Sequence, residues 1–515
     1  MELLELDLPD YRGLRDFELN LTDGLHEPQH PVTVLIGRNG AGKSRVLHSL
    51  VEIFGNLWLG KHSDFAFRLR YELRGSIVTV SQSAGGRAAA VTTSDGSREL
   101  RVRKTDWPRY LPDHLFGYQA IYASRWDSMF QQHVVSDAEI LRTEANPEGF
   151  QLRPLVQSRV DQLPLILLAL VPQWAEKFGP FAAETAGVQK IASADLVIQR
   201  PRWATYRHLR DRQWPPYWGL SGATAELFER IASIGRFGPV PDGAVPGRYT
   251  SFRISIAGQD VDAFCSLFES DLSMFAALER LQSLGILTAD VQLSIQDGSV
   301  LSPADLSAGE QQLLTVLGLL RLQRGGESLF LLDEPAAHFH PGWSQRWYES
   351  VREMLDDGQR SHFIAATHDP TLVVNVPREQ IRIVRSTSVG RTASHMPETD
   401  PRGYGIGGLL TSELYGLETQ LNQQTQQLID RQYELLPLAE QNINVRAELE
   451  RITSVLDGFG FATARRDHTV ALFLAELARR RRGLIEAAGS DTPPDPHEVA
   501  EMVRLLFDER FSRGL

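Results

Sequence analysis

The chain has 515 residues, 42% hydrophobic and 23% charged, which excludes a disordered polypeptide and calls for more than one packed unit. Its formal net charge of −12 excludes a molecule-wide basic field for nucleic acid and leaves open only a local basic patch. The single cysteine, Cys265, cannot close an internal disulfide, which fits a reducing compartment, and it reads as a small buried hydrophobe.

From the start, Met1–Asp7 lacks the basic-then-apolar order of a secretory signal. The most apolar run, Leu163–Val171, is too short to span a bilayer and holds Pro164, so it reads as a buried helix. The expectation is a cytoplasmic protein with no membrane partner. Residues 2–20 alternate apolar and polar around a turn at Tyr11-Arg12-Gly13-Leu14, predicting two antiparallel strands. A buried strand at Val32–Ile36 then runs into a glycine-rich loop, and Val46, Leu47, Leu50, Val51 and Phe54 keep helical spacing after it. Alternation over Phe65–Leu73 predicts a half-buried strand, with Ile77–Val80 returning against it and a short strand at Ala120–Ala123.

The pattern changes over residues 131–298. Helical stretches are expected at 155–178 and 261–284, with strands at Leu196–Gln199 and Thr250–Ile256 and a Pro/Trp/Arg-rich piece at Arg200–Gly219. A helix follows over Leu313–Leu322, then buried strands at Leu329–Leu332 and His362–Ala366. Gly403–Gly408 reads as a flexible joint, and the remainder reads as helical. There Val445, Leu449, Ile452, Leu456 and Phe459 make one face, and Asp495-Pro496 opens a last helix. The segments are 1–130, a compact α+β insertion 131–298, 299–398, and a helical region 399–515.

Gly37-Arg38-Asn39-Gly40-Ala41-Gly42-Lys43-Ser44 has the spacing of a phosphate-binding loop between a strand and a helix. Its glycines let backbone amides wrap phosphate at a helix N-terminus. Lys43 is positioned by that pattern for the β- and γ-phosphates of ATP, and Ser44 for Mg²⁺. Leu329–Leu332 ends in Asp333 and Glu334, the first suited to Mg²⁺ and the second to activating water. Ser307-Ala308-Gly309-Glu310 opens a helix with a capping box, a second potential anion site. His368 follows the strand at 362–366.

These elements, in this order, resemble the ABC ATPase superfamily. Residues 336–341, Ala-Ala-His-Phe-His-Pro, resemble the dimer-contacting loop of its SMC-like and OLD-like branches. The resemblance implies an α/β fold, an ABC head with a mixed β edge and a parallel P-loop core. It also implies that Ser307, Ala308, Gly309 and Glu310 face the nucleotide of a second subunit. His368 becomes a switch histidine, and Arg12 a candidate nucleotide contact. Neither Gln119 nor Gln131 sits in a convincing Q-loop motif, Gln119 reading as the start of a strand. Lys43 and Asp333 lie about 290 residues apart, far more than in transporter ATPases, and the intervening chain is too rich in Pro, Gly and Trp for a long coiled coil.

Two basic clusters stay open. Arg200–Trp214 interleaves arginines with aromatics and reads as a nucleic-acid track, a cation–π edge or a partner contact. Arg479–Arg482 reads as a solvated helix surface or a partner contact. The segment Leu409–Leu436, with Gly460-Phe461 and Arg466-Asp467, is similar to the tail of SMC-like, AAA-type ATPases of bacterial defence islands, including those of Septu and retron-associated Septu-like systems. That implies an antiphage role beside a separate effector encoded nearby, an HNH-type nuclease in the Septu case. The alternative is a DNA-repair or chromosome-associated SMC/RecF-like ATPase that binds DNA.

Overall fold

The computed structural model describes residues 1–22, 32–85, 89–94, 99–120, 124–142, 151–201, 216–219, 222–241, 249–355, 360–386, 391–417, 419–438 and 443–459. The chain divides into two compact units, Met1–Gly416 and Leu417–Leu515.

Three sheets build the first unit. An antiparallel sheet holds β1 (Glu2–Tyr11), β2 (Leu14–Asn20), β4 (Phe67–Leu73), β5 (Ser76–Gln82), β6 (Ala90–Ser94) and β7 (Glu99–Arg101) in the order β2-β1-β4-β5-β6-β7. The central sheet holds β3 (Val32–Ile36), β8 (Leu115–Gln119), β9 (Leu155–Ser158), β15 (Leu329–Asp333), β16 (His362–Ala366), β17 (Ile381–Ser386) and β18 (Thr392–His395). Its order is β18-β17-β3-β16-β15-β8-β9, parallel throughout except for β18. Every residue of β3 and β16 is buried, as a parallel strand covered on both faces requires. A third, antiparallel sheet runs β11-β12-β10-β13-β14, from β10 (Val188–Gln199), β11 (Arg236–Pro241), β12 (Tyr249–Ala257), β13 (Leu287–Ile295) and β14 (Val300–Leu301).

Helix α1 (Lys43–Trp58) shares one core with the first sheet and one face of the central sheet, through Val46, Leu50 and Phe54 beside Leu6, Phe17, Leu331 and Ile364. The other face forms a larger core. It takes in α3 (Leu163–Ala169), α4 (Phe178–Ala186), α7 (Asp271–Ser283), α8 (Ala308–Leu322), α9 (Pro341–Met354) and the third sheet. Helices α5 (Gly222–Ile234), α6 (Val261–Cys265), α10 (Pro370–Val373) and α11 (Ile406–Thr411) also lie in this unit, as does α2 (Ser124–Arg142). The interval 155–295 therefore has no core of its own: β9 extends the central sheet and α3 packs on α8.

The expected strand at Ala120–Ala123 is displaced. The strand is Leu115–Gln119, and 121–123 lie outside the described residues. Gly117 disguises it, because glycine reads as a break; here it admits α2, whose Trp126 and Phe130 rings would lie 2.7 Å from a Cβ at that position. The helical stretch expected at 155–178 begins instead as β9, and Gly403–Gly408 is no joint. An Asp400-capped turn and α11 occupy it, with Leu409 and Leu414 buried in the larger core. The expected strands at 2–20, 196–199 and 250–256 are present, as is the buried helix within 163–171.

In the second unit, α12 (Gln423–Leu435) and α13 (Ile443–Gly458) pack through Leu435, Ile452 and Leu456, with Leu449 and Val445 beside them. Phe459, placed on that face by spacing, lies beyond the helix and is 60% exposed. The segments around Gly460-Phe461, Arg466-Asp467, Arg479–Arg482 and Asp495-Pro496, like residues 202–215 of the arginine-aromatic cluster, fall outside the described residues.

His362 ties two sheets together. Its Nδ1 accepts from the Leu3 amide at 2.8 Å and its Nε2 meets Thr33 Oγ1 at 3.0 Å, so the ring is neutral with its proton on Nε2. Burial, helped by the nearby N-terminal ammonium, pushes its pKa down to about 3. An unfolded chain takes up this proton first, so stability is full above the ordinary histidine pKa of about 6.5 and falls as pH drops towards 3. Urea midpoints should therefore decline steadily below pH 6.5. In His362→Gln that slope should flatten, even if the midpoint at neutral pH is lower.

Candidate functional site

Four neighbouring strands of the central sheet, β3, β16, β15 and β8, deliver the predicted residues at their C-terminal ends. This is where ligands bind in parallel α/β sheets. The loop after β3 turns through three glycines of positive φ: Gly37 (150°), Gly40 (84°) and Gly42 (110°). Gly37 could carry no side chain, since a Cβ would sit 2.2 Å from the Val384 carbonyl oxygen. Gly42 is equally confined, its Cβ position lying 2.5 Å from Leu14 Cδ2 on the β1–β2 hairpin.

Lys43 is buried and folds back on its own loop, donating to the Gly37 carbonyl at 2.8 Å and, more weakly, to that of Arg38 at 3.5 Å. Burial lowers its pKa, against the pull of Glu334 and Asp333. Ser44 Oγ donates to Asp333 Oδ1 at 2.9 Å across 289 residues of sequence. Desolvation raises the Asp333 pKa, opposed by the hydrogen bonds from Ser44 and Gln119.

Gln119 is the residue that sequence spacing missed. It ends β8, pairs in register with Asp333, and points Nε2 at Asp333 Oδ2 at 3.4 Å. Finding it needed the strand boundary that Gly117 obscures.

Glu334 leaves β15 in the left-handed region, φ 54°, with its amide donating to the Ala366 carbonyl at 2.8 Å. Its carboxylate accepts from Thr367 Oγ1 at 3.1 Å and meets His368 Nδ1 at 2.7 Å. A non-glycine residue held there stores backbone strain of about 1–2 kcal/mol. Nearby, the Tyr415 hydroxyl is buried without a hydrogen-bond partner among the described residues. Burial first, then the charges of Asp369 and Glu334, raise its pKa.

Ser307 caps α8 as expected: its Oγ accepts from the Glu310 amide at 3.3 Å, and Glu310 Oε2 accepts from the Ser307 amide at 2.8 Å. Ser307 and Ala308 are exposed. Gly309 lies under the loop after Glu334, where a Cβ would be 2.6 Å from the His338 carbonyl oxygen. Gln312, also buried, donates to the Pro335 carbonyl. Among the described contacts, the Ser307–Glu310 turn thus joins the 335–340 segment and not the 37–44 loop. Arg12 sits at φ 47° on the β1–β2 turn, stacked 5.4 Å from the Tyr11 ring and 3.3 Å from Glu52 on α1, with no described contact to residues 37–44.

The donor chemistry suits ATP with Mg²⁺. Among the described residues no cluster of three or more His, Cys, Asp or Glu forms a metal cage. Mg²⁺ needs none, because it is commonly held by one or two protein oxygens with phosphate oxygens and waters completing the shell, and Ser44 with Asp333 would suit that role. Among the described residues no helix is long and apolar enough to cross a membrane.

Fold and site together resemble those of ATPases of the ABC/AAA type. Residues 250–375 match the family described as "AAA domain, putative AbiEii toxin, Type IV TA system". Within that class the chain resembles the Septu ATPase: it is 26% identical over 133 residues to Septu protein PtuA of Bacillus mycoides (strain KBAB4), covering 26% of this chain and 18% of that protein. It is 30% identical over 101 residues to the Retron Vc95 probable ATPase of Vibrio cholerae serotype O1 biovar El Tor, covering 18% and 19% of the two chains. Protein ea59 of Escherichia phage lambda is 30% identical over 115 residues, covering 22% and 21%. The matches thus span about a fifth of the relatives' lengths. Among solved structures, the SMC head domain from Thermotoga maritima aligns at 12% identity and a TM-score of 0.34, covering 78% of this chain and all of that one.

The strain at Glu334 is measurable. Glu334→Gly should be more stable than Glu334→Ala by about 1 kcal/mol in chemical denaturation, since only glycine adopts φ 54° without cost. Equal stabilities would mean the left-handed turn is absent in solution.

Proposed function

We propose that the protein hydrolyses ATP slowly, as a dimer closed head-to-tail around Mg·ATP, and serves as the regulatory subunit of an antiphage defence complex. The observation that carries the hydrolytic part is the convergence of Ser44, Asp333, Glu334 and His368 at adjacent strand ends. Bound Mg²⁺ offsets the charge of the phosphates. Lys43, with the amides of Gly40, Ala41 and Gly42, holds the β- and γ-phosphates, and Arg38 and Asn39 flank them. Glu334 takes the proton of the attacking water, while His368 and Thr367 fix its carboxylate.

Dimerisation is supported by Ser307 and Ala308, which stand exposed at a helix N-terminus with nothing of their own loop 37–44 among their described contacts. The defence role, and with it a partner in a defence complex, is supported by the likeness to Septu protein PtuA and the retron ATPase; the partner we propose is a nearby-encoded effector of the HNH-nuclease kind.

Glu334→Gln should lower the steady-state hydrolysis rate by at least about a hundredfold, the scale of general-base catalysis, while ATP binding persists and a dimer accumulates in light scattering. Wild-type turnover in this variant would remove Glu334 from its assigned role. Lys43→Ala and Ser307→Arg should each be inactive alone, and mixing them should restore one composite site. If mixtures stay inactive while both variants fold, the shared-site arrangement is wrong.

A further inference from the structure

A cleft of about 370 Å³ lies at the edge of the antiparallel sheet, between the end of α1 and the turn following β7. Its polar lining is Lys61, His62, Arg101, Arg103, Lys104 and Trp107, and no described lining residue is a carboxylate. In a chain of net charge −12, this local sign reversal is not a consequence of composition. All five basic side chains belong to exposed residues. Among the described residues, no ion pair to Arg101, Arg103 or Lys104 accompanies them.

The walls are held in place. Lys61 Nζ donates to Gln132 Oε1 at 2.8 Å on α2. Gly60, at φ 63°, lets Lys104 cross closely, its Cβ position lying 3.3 Å from Lys104 Cε. Lys104 Nζ in turn sits 6.0 Å from the Trp107 ring centroid. Trp107 is only 6% exposed, yet its indole N–H is buried with no acceptor among the described residues. A buried donor left unmatched is unfavourable unless something accepts from it, and such groups are rare enough to require an explanation.

We infer that this cleft is a second anion site, separate from the ATP site, for a small phosphorylated molecule. Phosphate groups are acceptors only and carry several charges, which matches a lining whose polar side chains are four cations, a histidine and an indole donor. The volume is at the lower end of small-ligand pockets, and its concave, short outline suits a compact oligophosphate better than an extended strand. The Trp107 ring is too covered to stack on a base, so recognition falls on charge, with the equally buried indole N–H donating only once a bound anion draws the side chain towards the cleft.

The test uses the full chain carrying Lys43→Ala, which weakens phosphate binding at the 37–44 loop, with inorganic pyrophosphate titrated by calorimetry and tryptophan emission. Binding should be detected, and should weaken about tenfold or more on adding Arg101→Glu and Lys104→Glu. Adding Trp107→Phe, which keeps a ring but removes the donor, should weaken it several-fold, and it carries the test alone if the charge-reversed variant loses its melting transition. The inference is overturned if pyrophosphate does not bind the Lys43→Ala protein, or binds equally to the variants. It is overturned as well if only a single-stranded thymidine oligonucleotide binds and the charge reversals abolish that, since the face would then be a nucleic-acid surface. None of these outcomes depends on the ATPase reading.

Discussion

The hydrogen bond from Ser44 to Asp333 joins residues 289 apart in sequence, and it exists only because β3, β16, β15 and β8 run parallel and in register. Slide β15 by one residue and Asp333 turns to the opposite face of the sheet. What prevents that slip is burial: β3 and β16 are covered completely on both faces, and Phe116, Phe330 and Phe363 stack from β8 through β15 to β16 with ring centroids 4.8 and 4.4 Å apart. His362 pins the start of β16 to both β1 and β3. The site's geometry is thus a property of the core beneath it.

That rigidity also explains how Glu334 can be held in a left-handed conformation. The Ala366 carbonyl takes its amide, while Thr367 and His368 take its carboxylate, so the end of β16 fixes the residue at both backbone and side chain. On the other flank, Gln312 grips the Pro335 carbonyl and Gly309 admits the His338 backbone at close range. Glu334 and the helix that carries Ser307 are therefore joined through the backbone at Pro335 and His338.

Much of this was legible in the sequence because it is local. The 37–44 loop, the apolar run ending in Asp333-Glu334 and the Ser307–Glu310 cap are each written in consecutive residues whose spacing carries the chemistry. What escaped is what depends on tertiary packing. Gln119 was hidden by Gly117, which is a packing residue and not a strand break. β9 was hidden because its Leu-Val-Gln-Ser sequence is only four residues long and is followed within a few residues by helical turns, which leaves too little pattern to separate it from them. Arg12, the candidate nucleotide contact, pairs with Glu52 of α1, a contact that only the packing of the hairpin reveals. The left-handed φ of Glu334 has no sequence signal, since glutamate is a poor choice for it.

Tyr415 adds a constraint at the other end of the first unit. The chain reaches it through α11, whose Leu409 is buried in the same core as Leu372 of α10, and Asp369 caps α10 immediately after His368. A buried hydroxyl without a partner, influenced by the charges of Glu334 and Asp369, is thus the last anchored group before the boundary at Gly416. Both carboxylates, like the burial itself, hold the phenol in its neutral form. The segment that leads out of the first unit thus lies within electrostatic reach of the candidate site, although no motif in its sequence announces it.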